Sequence, residues 1–149
     1  MARLNGLLTW IGGGALLLAT ATDAIAVIGR YIGVALHGSI EVVQAAVLVS
    51  GSVALIAATA ARAHATVHLL TERMGPRLAD VLARTTALLS AAFFVALLAG
   101  GVWLSADLWQ AREASELLAI PYAPLRIVAN LAVACVALLF LRDVMGRRT

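Results

Sequence analysis

The chain has 149 residues, 62% of them apolar, a mean hydropathy of +0.97 and a formal net charge of +3. That apolar content exceeds what a soluble core of this size buries, so the surplus is expected to face lipid. All eleven basic residues are Arg and they are scattered at the ends of apolar runs, which excludes the continuous basic patch that a nucleic-acid partner requires.

A membrane-crossing helix needs about 20 apolar residues to pass roughly 30 Å of hydrocarbon. Residues 7–29 supply the first. Arg3, the apolar run that follows and the small residues Ala19, Thr20 and Ala21 resemble a secretory signal with its cleavage site. The run nevertheless continues through residues 24–28, so the segment is expected to be retained as a span. Asp23 lies within it, and an unpaired charge in hydrocarbon costs about 3 kcal/mol on insertion scales. Gly12-Gly13-Gly14, and Gly29 with Gly33 as a GxxxG at the edge of the span, are expected to permit close helix approach. A short connector holding Arg30, Tyr31 and His37 leads to the second span, 42–61, with Glu41 just before it and Gln44 just inside.

Between the second and third spans runs RAHATVHLLTERMGPR, from Arg62 to Arg77. Val67, Leu70 and Met74 recur at helical spacing and Leu78 and Val81 prolong the stripe, with His64, His68, Glu72 and Arg73 opposite. The pattern predicts a short amphipathic helix over 65–74, lying in the headgroup region and followed by the helix breakers Gly75 and Pro76. A zinc site would need a third ligand beside His64 and His68, and only Glu72 continues their row. HATVH also lacks the glutamate of the HExxH hydrolases, so solvated interfacial histidines are the preferred reading and no metal or cofactor is expected in this chain.

Residues 85–104 form the third span and 120–141 the fourth. Arg126 lies at about the depth of Asp23, and the two are expected to pair; Gln44 and Asn130 occupy the same half of the membrane and complete a candidate polar cluster. Cys135 is the single cysteine, so an internal disulfide is excluded. The chain has no GxxxxGK[ST], GxGxxG or GxSxG, and an ATPase or a hydrolase has no support.

Four spans put both termini on one side. The termini and middle connector hold Arg3, Arg62, Arg73, Arg77, Arg84, Arg142, Arg147 and Arg148, against Arg30 and Arg112 in the other two connectors. The positive-inside rule then places the termini in the cytoplasm. The expectation is an all-α integral membrane protein: a single membrane domain over 1–149, with four spans, one interfacial helix and cytoplasmic termini.

Several local features also follow one another in a telling order. Arg30-Tyr31 follows the first span, and Ser39-Ile40-Glu41 leads into the second. Arg62-x-His64-x-x-Val67, Leu69-Leu70 and Glu72-Arg73-x-x-Pro76 fill the middle connector, and Ser115-x-x-Leu118-x-Ile120-Pro121 opens the fourth span. This succession resembles the DctQ-type small permease subunit of tripartite ATP-independent periplasmic (TRAP) transporters. It departs from that family in having His68 where an acidic residue is usual, and a lone Glu41 where two adjacent acidic residues are frequent.

The resemblance implies a non-catalytic subunit of the inner membrane. Its partners would be the large permease subunit, which carries the substrate and sodium sites, a periplasmic solute-binding protein and the lipid bilayer. Candidate interface or structural polar residues are Asp23, Arg30, Glu41, Gln44, Arg62, His64 and Arg126, with Val67, Leu70 and Met74 on the interfacial helix. The alternative is a haem- or quinone-binding membrane anchor of a respiratory enzyme, which requires histidines at matching depths on different helices.

Overall fold

The computed structural model describes residues 2–61 and 76–146, and among these the side chains of all but 2–5, 76–77, 79–80 and 146. Four helices account for most of it: α1 (Ala2–Tyr31), α2 (Ser39–Ala60), α3 (Pro76–Asp107) and α4 (Tyr122–Gly146). Each contains a segment long and apolar enough to cross a membrane: Gly6–Tyr31, Ser39–Ala60, Val81–Asp107 and Tyr122–Met145. The expected interfacial helix over 65–74, with Arg62, His64, Val67, Leu70 and Met74, lies outside the described residues.

The helix boundaries follow from backbone chemistry. The three prolines all stand where a missing N–H is harmless, because the first turn of a helix has no internal acceptors for its N–H groups. Pro76 is the first residue of α3, Pro121 immediately precedes α4 and Pro124 is the third residue of α4. At the end of α1, Gly33 takes φ +78°, the amide N–H of Val34 donates to the Gly29 carbonyl at 2.8 Å and that of Gly33 to the Arg30 carbonyl at 3.4 Å. These two bonds make a Schellman cap, which satisfies carbonyls the helix would otherwise leave open.

That cap corrects the reading of Gly29 and Gly33 as a helix-approach motif. A side chain at Gly29 would strike the Val34 carbonyl oxygen, and one at Gly33 would meet nothing. The pair therefore turns the chain, and among the described residues no second helix rests on it. Five threonine hydroxyls within the spans are satisfied locally, as apolar surroundings favour. Thr20, Thr22, Thr59, Thr85 and Thr86 each donate to the carbonyl four residues earlier at 2.8–2.9 Å.

Packing joins α1 to α2, α2 to α4, and α4 to α3, and among the described residues no other helix pair packs extensively. The order in space is α1–α2–α4–α3, an open row of two hairpins joined along α2 and α4. Its seams are built from small residues, which let helix backbones approach where lipid removes the hydrophobic drive. On α1 the buried positions are Gly12, Ala19 and Ala26, seven apart, with Val53 of α2 against Gly12. On α3, Ala87, Ala91, Phe94, Gly101 and Ser105 recur at the same kind of spacing. The Phe94 ring stacks on Phe140 of α4 with centroids 5.6 Å apart. Val136, fully buried on α4, is the largest side chain enclosed to that degree among the described residues.

One polar contact is set inside the α3–α4 seam. The Asn130 amide donates to the Gly101 carbonyl at 3.2 Å and to the Ser105 hydroxyl at 2.9 Å, while Ser105 donates to the same carbonyl at 2.7 Å. A side chain at Gly101 would collide with the Asn130 amide oxygen, so the glycine is what admits the asparagine.

Candidate functional site

The described polar groups of greatest interest gather at the end of the row where the 32–38 and 108–121 connectors meet. Gly38 begins the arrangement. It is buried, takes φ +80° and serves as the N-cap of α2, its carbonyl accepting from the N–H groups of Glu41 at 3.0 Å and Val42 at 3.3 Å. A β-carbon there would come within 2.6 Å of Leu118, so the Leu118 side chain lies directly over this turn.

The second connector folds into a small hairpin. Ala114 and Pro121 bridge in antiparallel fashion, and the Tyr122 N–H donates to the Glu113 carbonyl at 3.0 Å. Buried Ser115 closes the turn twice: its N–H donates to the Ile120 carbonyl at 3.0 Å, and its hydroxyl accepts from the Ile120 N–H at 2.9 Å. Ala119 holds φ +53° to complete the reversal. The turn thereby presents two backbone N–H groups, those of Leu117 and Leu118, toward α2.

Glu41 takes both. Its two carboxylate oxygens accept one N–H each, from Leu117 and from Leu118, both at 2.8 Å. The Ser115 hydroxyl lies near this carboxylate as well. A carboxylate gripping paired N–H donors is a charge-assisted contact, stronger than a neutral one. It ties the first hairpin of the row to the connector of the second. At the base of the connector, Arg126 on the first turns of α4 forms an ion pair with Glu113.

This pairing corrects an expectation. Arg126 meets Glu113 and not Asp23, because α1 and α4 are not neighbours in the row and the connector brings a carboxylate to Arg126 first. Asp23 is exposed on α1 and makes no ion pair among the described residues. Arg30 is exposed in the last turn of α1. Asn130, placed by sequence in the same polar cluster, turns instead to α3.

Glu41, Gln44 and Arg126 do come together, around a cleft of about 310 Å³ between α2 and α4 that Ser115 and Tyr122 also line. A second opening of about 450 Å³ shares Glu41, Gln44 and Tyr122 and extends to His37 and Glu116. Its lining includes the exposed apolar side chains Leu36, Ile40 and Leu117. The arrangement is a braced ledge: two connectors locked to each other with their outer side chains free.

Glu113, Gly38 and the backbone N–H groups of Leu117 and Leu118 were not legible as site components. Ser115 was visible only as a letter in a motif. A backbone donor carries no side-chain signature, and Glu41 reaches it across more than 70 residues of chain.

An all-helical chain with four membrane-length helices and a braced pair of connectors defines a multi-pass membrane protein. The family model described as the DctQ component of tripartite ATP-independent periplasmic transporters matches residues 16–149. The chain belongs to that family, and is thus a small membrane component of a TRAP transporter. Comparison with curated proteins and with solved structures returned no match. The family match gives the respiratory-anchor alternative no support.

Proposed function

We propose that this chain is the non-catalytic scaffold of a sodium-driven TRAP transporter in the bacterial or archaeal inner membrane, seating the large permease subunit along its open row and helping to dock a periplasmic solute-binding protein on its ledge. The reading rests on the family match. The structural observation that carries it is the Glu41 latch, which turns two short connectors into one preformed surface. A preformed surface binds without first ordering its loops, which lowers the entropic cost of docking.

In this reading the arginine distribution sets the topology: termini and the 62–75 connector face the cytoplasm and the ledge faces the periplasm. The amphipathic stripe of Val67, Leu70 and Met74 lies on the cytoplasmic surface as an arm toward the large subunit, with Arg62 and His64 at its root. Sodium and solute sites belong to the large subunit, and this chain holds no cofactor.

The test is uptake by the reconstituted three-component transporter. Glu41→Ala should lower the affinity of the solute-binding protein for the membrane complex while leaving the large subunit bound. Unchanged docking in that variant would remove the ledge from the proposal. A C-terminal fluorescent fusion should fluoresce and a C-terminal alkaline phosphatase fusion should stay inactive; the reverse pattern would overturn the topology.

A further inference from the structure

We infer that the flank of α1 carrying Asp23 is covered in the assembled transporter by a membrane helix of the large subunit that presents a cationic or hydrogen-bond-donating side chain to this carboxyl group. The inference deepens the scaffold reading and rests on it, since it names the place on the row where that partner sits.

Asp23 lies inside the membrane-length segment Gly6–Tyr31. It precedes the last residue of α1 by eight positions, about 12 Å at helical rise, which is beyond the headgroup region. Ala19 and Ala26, one turn to either side, are buried on the seam toward α2, yet Asp23 itself is exposed. It therefore stands on the rim of the seam, where a third helix can reach it. Ionisable side chains within membrane segments face protein or water and are partnered there.

Among the described residues, the candidates are otherwise engaged or out of reach. Arg126 is paired with Glu113, on a helix that does not pack against α1. Thr20 and Thr22, the nearest hydroxyls on α1, donate back to the carbonyls of Leu16 and Leu18 at 2.9 and 2.8 Å. Arg30 follows seven residues later on the same side, about 10 Å along the helix and at its last turn.

A second copy of this chain fits poorly. In a two-fold contact through this flank the same patch meets itself, which sets Asp23 against Asp23. A lipid headgroup lies too shallow. A helix of the larger membrane subunit supplies a donor at the right depth, and it is the partner the family provides.

The experiment uses the tagged small subunit co-expressed with the large subunit of its transporter and extracted in mild detergent. With p-benzoylphenylalanine in place of Val27, exposed one turn from Asp23 on the same flank, irradiation should yield an adduct of the combined mass of the two subunits. The same residue in place of Leu89, exposed on α3 at the far end of the row, should yield much less. Asp23→Lys should reduce co-eluting large subunit by about tenfold or more, and Asp23→Asn, which keeps the hydrogen-bond acceptor, by far less. The thermal midpoint of the isolated small subunit should be unchanged in Asp23→Asn and Asp23→Ala, which separates lost contact from misfolding.

Full co-elution of Asp23→Lys overturns the inference, as does an adduct from position 27 to a second copy or to lipid alone. If wild type carries the large subunit and position 27 does not crosslink to it, only this placement fails. If wild type fails to carry it at all, the scaffold reading fails as well.

Discussion

At the scale of single residues, the two adjacent glycines of α3 should behave differently. A methyl at Gly101 meets the Asn130 amide oxygen, whereas one at Gly100 meets nothing within 4 Å. Gly101→Ala forces the amide aside and sacrifices both its hydrogen bonds, a loss of about 1 kcal/mol for contacts of this type in membranes. Gly100→Ala should be neutral or slightly stabilising, since alanine favours helix. Thermal midpoints of the purified protein in detergent will show the contrast. In an Asn130→Ala background the Gly101→Ala penalty should largely vanish, which is the signature of a coupled pair. The sequence displays Gly100-Gly101 as one small-residue motif, and nothing in it tells which of the two faces a partner. That is decided by helix rotation, fixed in turn by the stripe of Ala87, Ala91 and Phe94 on the same face.

At the scale of elements, the connectors are set by backbone conformations that side-chain patterns reveal only in part. Gly33 and Gly38 both hold positive φ, but only Gly38 also has Leu118 over it. Gly33→Ala should cost about 1 kcal/mol from left-handed strain alone. Gly38→Ala should cost more and should be partly rescued by Leu118→Ala; equal effects at the two glycines would show that Leu118 does not pack there. The spans themselves were legible, because about 20 apolar residues in sequence have few uses outside a bilayer. The cap made by Gly29 and Gly33 was misread because a GxxxG within a span and a glycine closing a helix look alike until the helix end is known. The hairpin at Ser115 was hidden for a different reason: Ala119 adopts φ +53° without being a glycine, and so gives no warning.

At the scale of the molecule, the row α1–α2–α4–α3 explains why matching depth did not bring Asp23 and Arg126 together. Depth is readable from sequence, but lateral order is not, and the order places α2 between their helices. The row also makes a geometric claim. With Cys135 replaced by Ser, cysteines at Gly12 and Val53, where a β-carbon built on Gly12 lies 3.4 Å from that of Val53, should crosslink readily. Cysteines placed on facing depths of α1 and α3 should not, since those helices lie at opposite ends. Efficient α1–α3 crosslinking within one chain would mean a closed bundle and would undo the row. If the 62–75 connector is the arm proposed above, Val67→Asp with Leu70→Asp should reduce recovery of the large subunit, because burying an apolar side chain contributes about 1.5 to 3 kcal/mol. His64→Ala with His68→Ala should leave recovery and metal content unchanged, as judged by co-purification and elemental analysis.

The Glu41 latch has a consequence for how such a surface can change over generations. Its carboxylate recognises peptide N–H groups, which every residue except proline possesses, so the side chains at 117 and 118 have no part in the grip itself. In that turn Leu118 is constrained by the cover it gives Gly38, and Ser115 by the two hydrogen bonds with which it closes the loop. Mutation is therefore free to rewrite the outward side chains one at a time while the ledge keeps its position, much as a variable loop is exchanged on a constant framework. A lineage that acquires a new docking partner can retune this face without first redesigning the helices beneath it.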